Sequence, residues 1–171
     1  MRLSTQSLAR HGYTAEQVAG ALGPVFAIDK QLITDGTYFV VETEKCIIGG
    51  GGWSKRSALY GANSTTSSEQ SELDPKTESA HIRSFFVHPN WMRRGIGRSI
   101  LFNSETAISR MGFKTIDLIA TPMGQKLFAR FGYCFKKPWV FQLDHRIDFP
   151  CMLMVKNIVQ AEKEGRTIST G

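Results

Sequence analysis

Residues 86–101 read FVHPNWMRRGIGRSIL. An apolar, strand-like run ends at Pro89. Two arginines and two glycines follow, and from Gly97 to Arg110 apolar residues return at helical spacing, with Ile100, Leu101, Ala107 and Ile108 on one face. The first N–H groups of a helix have no partner inside it and point outward, and the helix dipole adds partial positive charge there. Glycine lets the preceding turn bring several of those groups onto one anion. Neighbouring arginines add charge and fork-shaped donors. Residues 93–99 therefore read as a phosphate or pyrophosphate cradle. Gly95, Ile96, Gly97 and Ser99 supply backbone amides, and Arg93, Arg94 and Arg98 supply charge. A Gly-x-Gly at such a junction also serves as a plain tight turn. The stretch is no Walker loop, because Gly-Lys-Ser/Thr is missing, and it lacks the third glycine of the dinucleotide fingerprint.

Downstream, KTIDLIAT (114–121) is the next strand, and GQKLFARFGY (124–133) is a short helix closed by Gly132. WVFQL (139–143) and CMLMV (151–155) are late strands around a turn at 145–150. Upstream, Ile82 to Val87 reads as a strand. Residues 14–35 are helical, opened by a Thr14–Gln17 capping box and broken at Gly23-Pro24. Tyr38 to Val41 and Cys46 to Ile48 form a hairpin. The glycines 49–52 that follow allow a bend or the close approach of another element. Residues 57–80 are Ser/Thr-rich and aperiodic, which reads as a long mobile loop, and they gather Glu69, Glu72, Asp74 and Glu78. One domain over 1–158 and a polar tail over 159–171 complete the organisation.

The chain has 171 residues, 42% hydrophobic and 21% charged, with a formal charge of +6. That balance is globular and favours anionic partners. No apolar run approaches the roughly 20 residues that span a bilayer, and no leader pattern opens the chain, so the expected compartment is the cytoplasm and no membrane partner is expected. Cys46, Cys134 and Cys151 are scattered and read as reduced thiols, and the dispersed His11, His81, His88 and His145 suggest no metal site. No nucleic-acid motif accompanies the basic charge.

The order strand, Val87-His88-Pro89, Arg94-Gly95-Ile96-Gly97, helix, Gly112-Phe113, strand, helix, Gly132-Tyr133 resembles the GNAT superfamily of acetyl-CoA-dependent N-acetyltransferases. The resemblance spans about 14–157 and is strongest over 82–133. It implies an α/β (α+β) fold: a mixed, mostly antiparallel central sheet with a V-shaped splay between 82–87 and 115–120, flanked by helices on both faces. It implies acetyl-CoA as cosubstrate, its pantetheine arm along the free edge at Phe85, Phe86 and Val87 and its pyrophosphate on the amides from Arg93 to Ser99. Thr121 and Phe128 join that binding set. A backbone N–H at Phe86 or Val87, with Val87 preferred, would be the oxyanion donor. The family pattern has Gln or Arg where Met92 stands.

The implied reaction is acetyl transfer to a primary amine by direct attack in a ternary complex; the alternative is a CoA-binding protein with little or no catalysis. Relatives often carry a tyrosine acid in the short helix, where this chain has Phe128, which donates no proton. Tyr133 reads as packing. His81, with Glu78 just upstream, is the expected base; Glu42 and Asp117 are further candidates, and Trp53 and Trp91 are candidate aromatic neighbours of the acceptor or the loop. The acidic cluster of the 57–80 loop is expected to collect a cationic amine. Family members usually open with a strand. Here MRLSTQSLARHG is weakly strand-like, so that strand is either missing or lies upstream of the recorded start. Its loss would bare a sheet edge and favour a homodimer.

Overall fold

The computed structural model of the chain describes residues 1–57 and 71–158. Its first segment is helical, not strand-like: α1 spans Arg2–Gln6 and a 3-10 turn spans Ser7–His11. Thr5 and Leu8 explain this. Three residues apart, they share a helical face, and both are buried, Leu8 beside Tyr13 and Val18. The capping box forms as the sequence predicts: Gln17 N–H donates to Thr14 Oγ1 at 3.1 Å, and Thr14 N–H donates to Gln17 Oε1 at 2.9 Å. It opens α2 (Ala15–Ala21). After the Gly23-Pro24 break, Asp29 caps α3 (Lys30–Thr34).

The hairpin is β1 (Tyr38–Glu42) and β2 (Ile47–Ser54), and β3 covers Ala80–Val87. α4 (Ile96–Arg110) leads to β4 (Thr115–Ala120), and α5 (Pro122–Arg130) to β5 (Cys134–Gln142) and β6 (Asp148–Asn157). β5 starts earlier than the sequence suggests and accepts Pro138 because it is an edge strand, where one missing N–H breaks no ladder. The six strands lie in the order β1-β2-β3-β4-β6-β5. Every neighbour pair is antiparallel except β3 and β4. Leu101, Ile108 and Phe128 from α4 and α5 pack on one face with Ile82, Ile116 and Leu118. Leu8, Val18 and Ala21 pack on the other with Phe149 and Cys151. This is the mixed, mostly antiparallel sheet with helices on both faces that the sequence implies.

The glycines of β2 serve close approach. A Cβ at Gly49 would sit 2.5 Å from Ile96 Cγ2, and one at Gly52 would sit 2.6 Å from the Thr37 carbonyl. The start of α4 therefore seats directly on β2. The ends of the 57–80 segment pair with each other, Leu73 N–H donating to Lys55 O at 2.8 Å and Ser57 N–H to Ser71 O at 3.1 Å. Its middle, 58–70, and the 159–171 tail lie outside the described residues. No helix among the described residues is long and apolar enough to cross a membrane.

Candidate functional site

β3 and β4 pair only at Ala80↔Ile116, His81↔Asp117 and Ile82↔Leu118. Beyond Ile82 the strands part, and a cavity of about 950 Å³ runs through the opening, a size that suits a small-molecule ligand. A β-bulge helps to open it. Gly50 faces Phe86 and Gly52 faces Arg83, so Ser84 and Phe85 together oppose one residue of β2. Ser84 takes φ +54°, a left-handed conformation for a residue with a side chain. Tyr38 Oη donates to its carbonyl at 3.2 Å, and Ser84 Oγ donates to Ala27 O at 3.3 Å.

The ladder fixes which backbone groups face the opening. His88 N–H donates to Ile48 O at 2.7 Å. Antiparallel pairing alternates, so Phe86 turns its N–H to β2 and Val87 turns its N–H away, toward the gap. Of Phe86 and Val87, Val87 is the one whose N–H faces the gap.

At the mouth, Gly95 takes φ +83° as the N-terminal cap of α4, and its carbonyl accepts from Ser99 N–H at 2.9 Å. The N–H groups of Ile96, Gly97 and Arg98 are left for an external anion. Arg93, Gly95, Ile96, Gly97 and Arg98 line the cavity, as do Phe85, Phe86, Val87, Thr121 and Phe128. Arg94 and Ser99 do not. Arg94 is exposed and lies over the Trp91 ring, 4.9 Å from its centre. Gly97 keeps the throat open: a Cβ there would press on Leu127 Cδ2 at 3.1 Å. Thr121 caps α5, accepting from Gly124 N–H at 3.1 Å. Phe128 is buried, edge-on to Phe85 at 5.4 Å and to Tyr133 at 5.7 Å. These groups can hold an extended ligand with amides along β3 and a diphosphate at α4.

The expected proton-handling groups stand elsewhere. His81 is buried on β3, and its Nδ1 donates to Asp117 Oδ1 across the last pairs before the strands part. Neither residue lines the cavity; Arg83 and Ile119, the next positions on the same face, do. Glu78 is exposed, and its Oε2 accepts from Asp74 N–H at 2.7 Å, closing the turn before β3. Glu72 pairs with Lys55 at 2.6 Å, and Asp74 accepts from Lys76 N–H and Thr77 Oγ1. The acidic cluster is thus spent on local partners away from the cavity; Glu69 lies outside the described residues. Glu42 is exposed on the edge strand β1. Trp53 is buried against Phe113, and Trp91 lines the cavity.

Sequence reading missed Arg83 and the apolar wall behind it. Arg83 is buried and lines the cavity. Its Nε lies 3.0 Å from Asp29 Oδ2, and its Nη2 donates to Ser54 Oγ at 3.0 Å. Burial pulls this guanidinium below its ordinary pKa, and Asp29 opposes that pull. The signal was present as a lone cation in the strand AHIRSFFV. Burial pushes the Cys151 thiol up to about 12, with Tyr13 pulling slightly the other way. Cys151 also lines the cavity.

Comparison with known proteins adds the following. A family model described as an acetyltransferase (GNAT) domain matches residues 27–142. No curated protein matches the chain. Among solved structures, a GCN5-related N-acetyltransferase of Rhodopseudomonas palustris superposes with a TM-score of 0.67 at 16% identity, over 92% of this chain and 84% of that one. The PaiA N-acetyltransferase of Thermoplasma acidophilum, in complex with coenzyme A, gives 0.60 at 12% identity, over 92% and 87%. A GNAT family acetyltransferase of Elizabethkingia anophelis, with acetyl-CoA bound, gives 0.51 at 14% identity, over 75% and 80%. At these identities the likeness is one of fold.

Proposed function

The chain belongs to the acetyltransferase (GNAT) family, and from there we propose that it transfers an acetyl group from acetyl-CoA to a primary amine, with both held together and the amine attacking directly. One observation carries the proposal: the unpaired edge of β3 runs straight into a helix N-terminus flanked by arginines. An amide-bearing arm that ends in a pyrophosphate matches that sequence of donors. Two relatives of the same fold hold coenzyme A or acetyl-CoA, which supports the same cosubstrate here.

In this reading the β3 edge at Phe85, Phe86 and Val87 binds the arm. Arg93, Gly95, Ile96, Gly97 and Arg98 hold the pyrophosphate, with Arg94 and Ser99 at its outer margin. Thr121 sets the start of α5, and Phe128 closes the floor. Bound acetyl-CoA supplies the activated acyl group. The Val87 N–H takes up charge that develops on the carbonyl oxygen. His81, oriented by Asp117, accepts the amine proton through water, since neither side chain reaches the cavity wall. Glu78, held in its turn, is given no role.

The alternative is a protein that binds CoA with little or no turnover. It is favoured by the buried Phe128 and by the absence of any carboxylate side chain among the described lining residues. Calorimetric titration with acetyl-CoA, beside Gly97→Trp, followed by assay of CoA thiol release with an amine panel, separates the readings. Micromolar binding lost in the variant, with amine-dependent thiol release, supports transfer. Binding without release supports the alternative, and no binding sinks both.

A further inference from the structure

The face of the cavity turned toward α1 and α2 differs in character from its mouth. Leu8, Val25, Phe26, Ile119, Phe141 and Cys151 line it, from five separate parts of the chain. All six are apolar, and all belong to the packed cluster on that side of the sheet. Met1 with its α-amino group, and Ser4 and Thr5 of α1, line the cavity on this side too, and Arg83 is the only charged side chain lining this face among the described residues. The other basic side chains that line the cavity, Arg93, Arg98, Lys126 and Arg130, sit on the cradle or on α5. The cavity as a whole therefore has five basic side chains in its described lining and no acidic one. Asp29, which does not line the cavity, is engaged by Arg83 at 3.0 Å and by Gln31 N–H at 2.9 Å.

We propose that this face receives the apolar body of the acceptor, and that the acceptor is a monoamine on an aromatic or branched aliphatic frame, not a polyamine or a basic peptide. The proposal rests on the N-acetyltransferase reading and narrows it. The gap between β3 and β4 opens onto this face, because Ile119 follows the last pair and both strands line the same cavity. A second or third ammonium would have to leave water for a wall without a counter-charge and would meet Arg83. An apolar frame gains by leaving water. In the proposed step the amine nitrogen bonds to the acyl carbon, the carbon–sulfur bond breaks, the sulfur leaves as CoA thiolate, and the amine proton passes through water to His81.

The test compares 2-phenylethylamine with spermidine as acceptors for acetyl-CoA, following thiol release by the whole chain and by Ile119→Glu. Acetyl-CoA calorimetry on both proteins confirms that the variant folds and keeps its cosubstrate site. The expected kcat/KM is at least tenfold higher for 2-phenylethylamine. In Ile119→Glu the 2-phenylethylamine value falls at least tenfold, and the ratio to spermidine collapses. Several outcomes overturn the proposal: spermidine used as well or better, no turnover of either amine while acetyl-CoA still binds, or a preference for hexanoyl-CoA over acetyl-CoA, which would give the apolar face to the acyl chain. Failure to bind acetyl-CoA, or binding with no release for any amine of the panel, overturns the transferase reading itself; release with other amines but with neither of these two overturns the acceptor proposal alone.

Discussion

Replacing Gly95 by alanine isolates one property of the cradle. Gly95 takes φ +83° at the N-terminal cap of α4, and a Cβ there would meet nothing within 4 Å. Crowding is therefore excluded, and only backbone strain remains. Holding an L-residue in the left-handed region costs about 1–2 kcal/mol, and asparagine tolerates it better than alanine. At about 2–4 °C per kcal/mol for a chain of this size, the Tm of Gly95→Ala should fall by about 2–8 °C. The variant can also relax the turn in the free protein. Binding must then restore it, so whatever part of the 1–2 kcal/mol the free protein escapes is lost from acetyl-CoA affinity instead, up to roughly 5- to 30-fold. Gly95→Asn should lose clearly less of either. Urea unfolding and calorimetric titration of the three proteins read both quantities. Equal losses in the two variants, or neither differing from the parent by more than about 0.5 kcal/mol, would refute the strained-turn account of the cradle.

Gly52→Ala should destabilise by about 2–4 kcal/mol, because its Cβ would lie 2.6 Å from a backbone carbonyl that cannot swing aside and would disturb the Trp53 N–H to Thr37 O bond; chemical denaturation checks this. Asp35 is held below the usual carboxylate range, chiefly by hydrogen bonds from Arg56 Nε and Nη2 at 2.9 Å. A carboxyl depressed on folding adds stability above its unfolded pKa of about 3.9 and loses it as pH falls through the folded value. Asp35→Asn should therefore cost about 1–2 kcal/mol at pH 7, with the gap to the parent closing only below about pH 4, as read from melts across a pH series. Iodoacetamide at pH 7.5 should label the exposed Cys46 and Cys134 in the native protein much faster than the buried Cys151, as mass spectrometry would show; equal native labelling at all three would overturn the burial of Cys151.

How much of this was legible in the sequence depended on how local the signal was. The cradle is written in consecutive residues, since Pro89, Gly95 and Gly97 punctuate the chain and α4 follows at once. The capping box at Thr14 is local in the same way. The resemblance alone favours Val87 over Phe86; the physical reason, which N–H the β2 ladder uses, is a matter of register and was not legible. The acidic cluster misled because its partners, Lys55 and the backbone of the 74–78 turn, are assigned only by folding. RLSTQSL mixes helix and strand propensities, and its helical state is decided by where Thr5 and Leu8 are buried. Nothing in the sequence announces the left-handed Ser84, which the surrounding hydrogen bonds impose.

The three residue pairs that join β3 to β4 leave the sheet as two stiff leaves on a short hinge. At about 3.3 Å per residue, Val87 stands roughly 17 Å beyond the last pair, and Ser84 only about 7 Å. A swing of about one degree then moves the Val87 tip by roughly 0.3 Å and the bulge by about 0.1 Å. By that geometry a swing of a few degrees between the two leaves would open the mouth by about an ångström and shift the bulge by less than half of that. A bulky cosubstrate could enter and leave at the tips, and the atoms nearest the hinge would keep their alignment throughout.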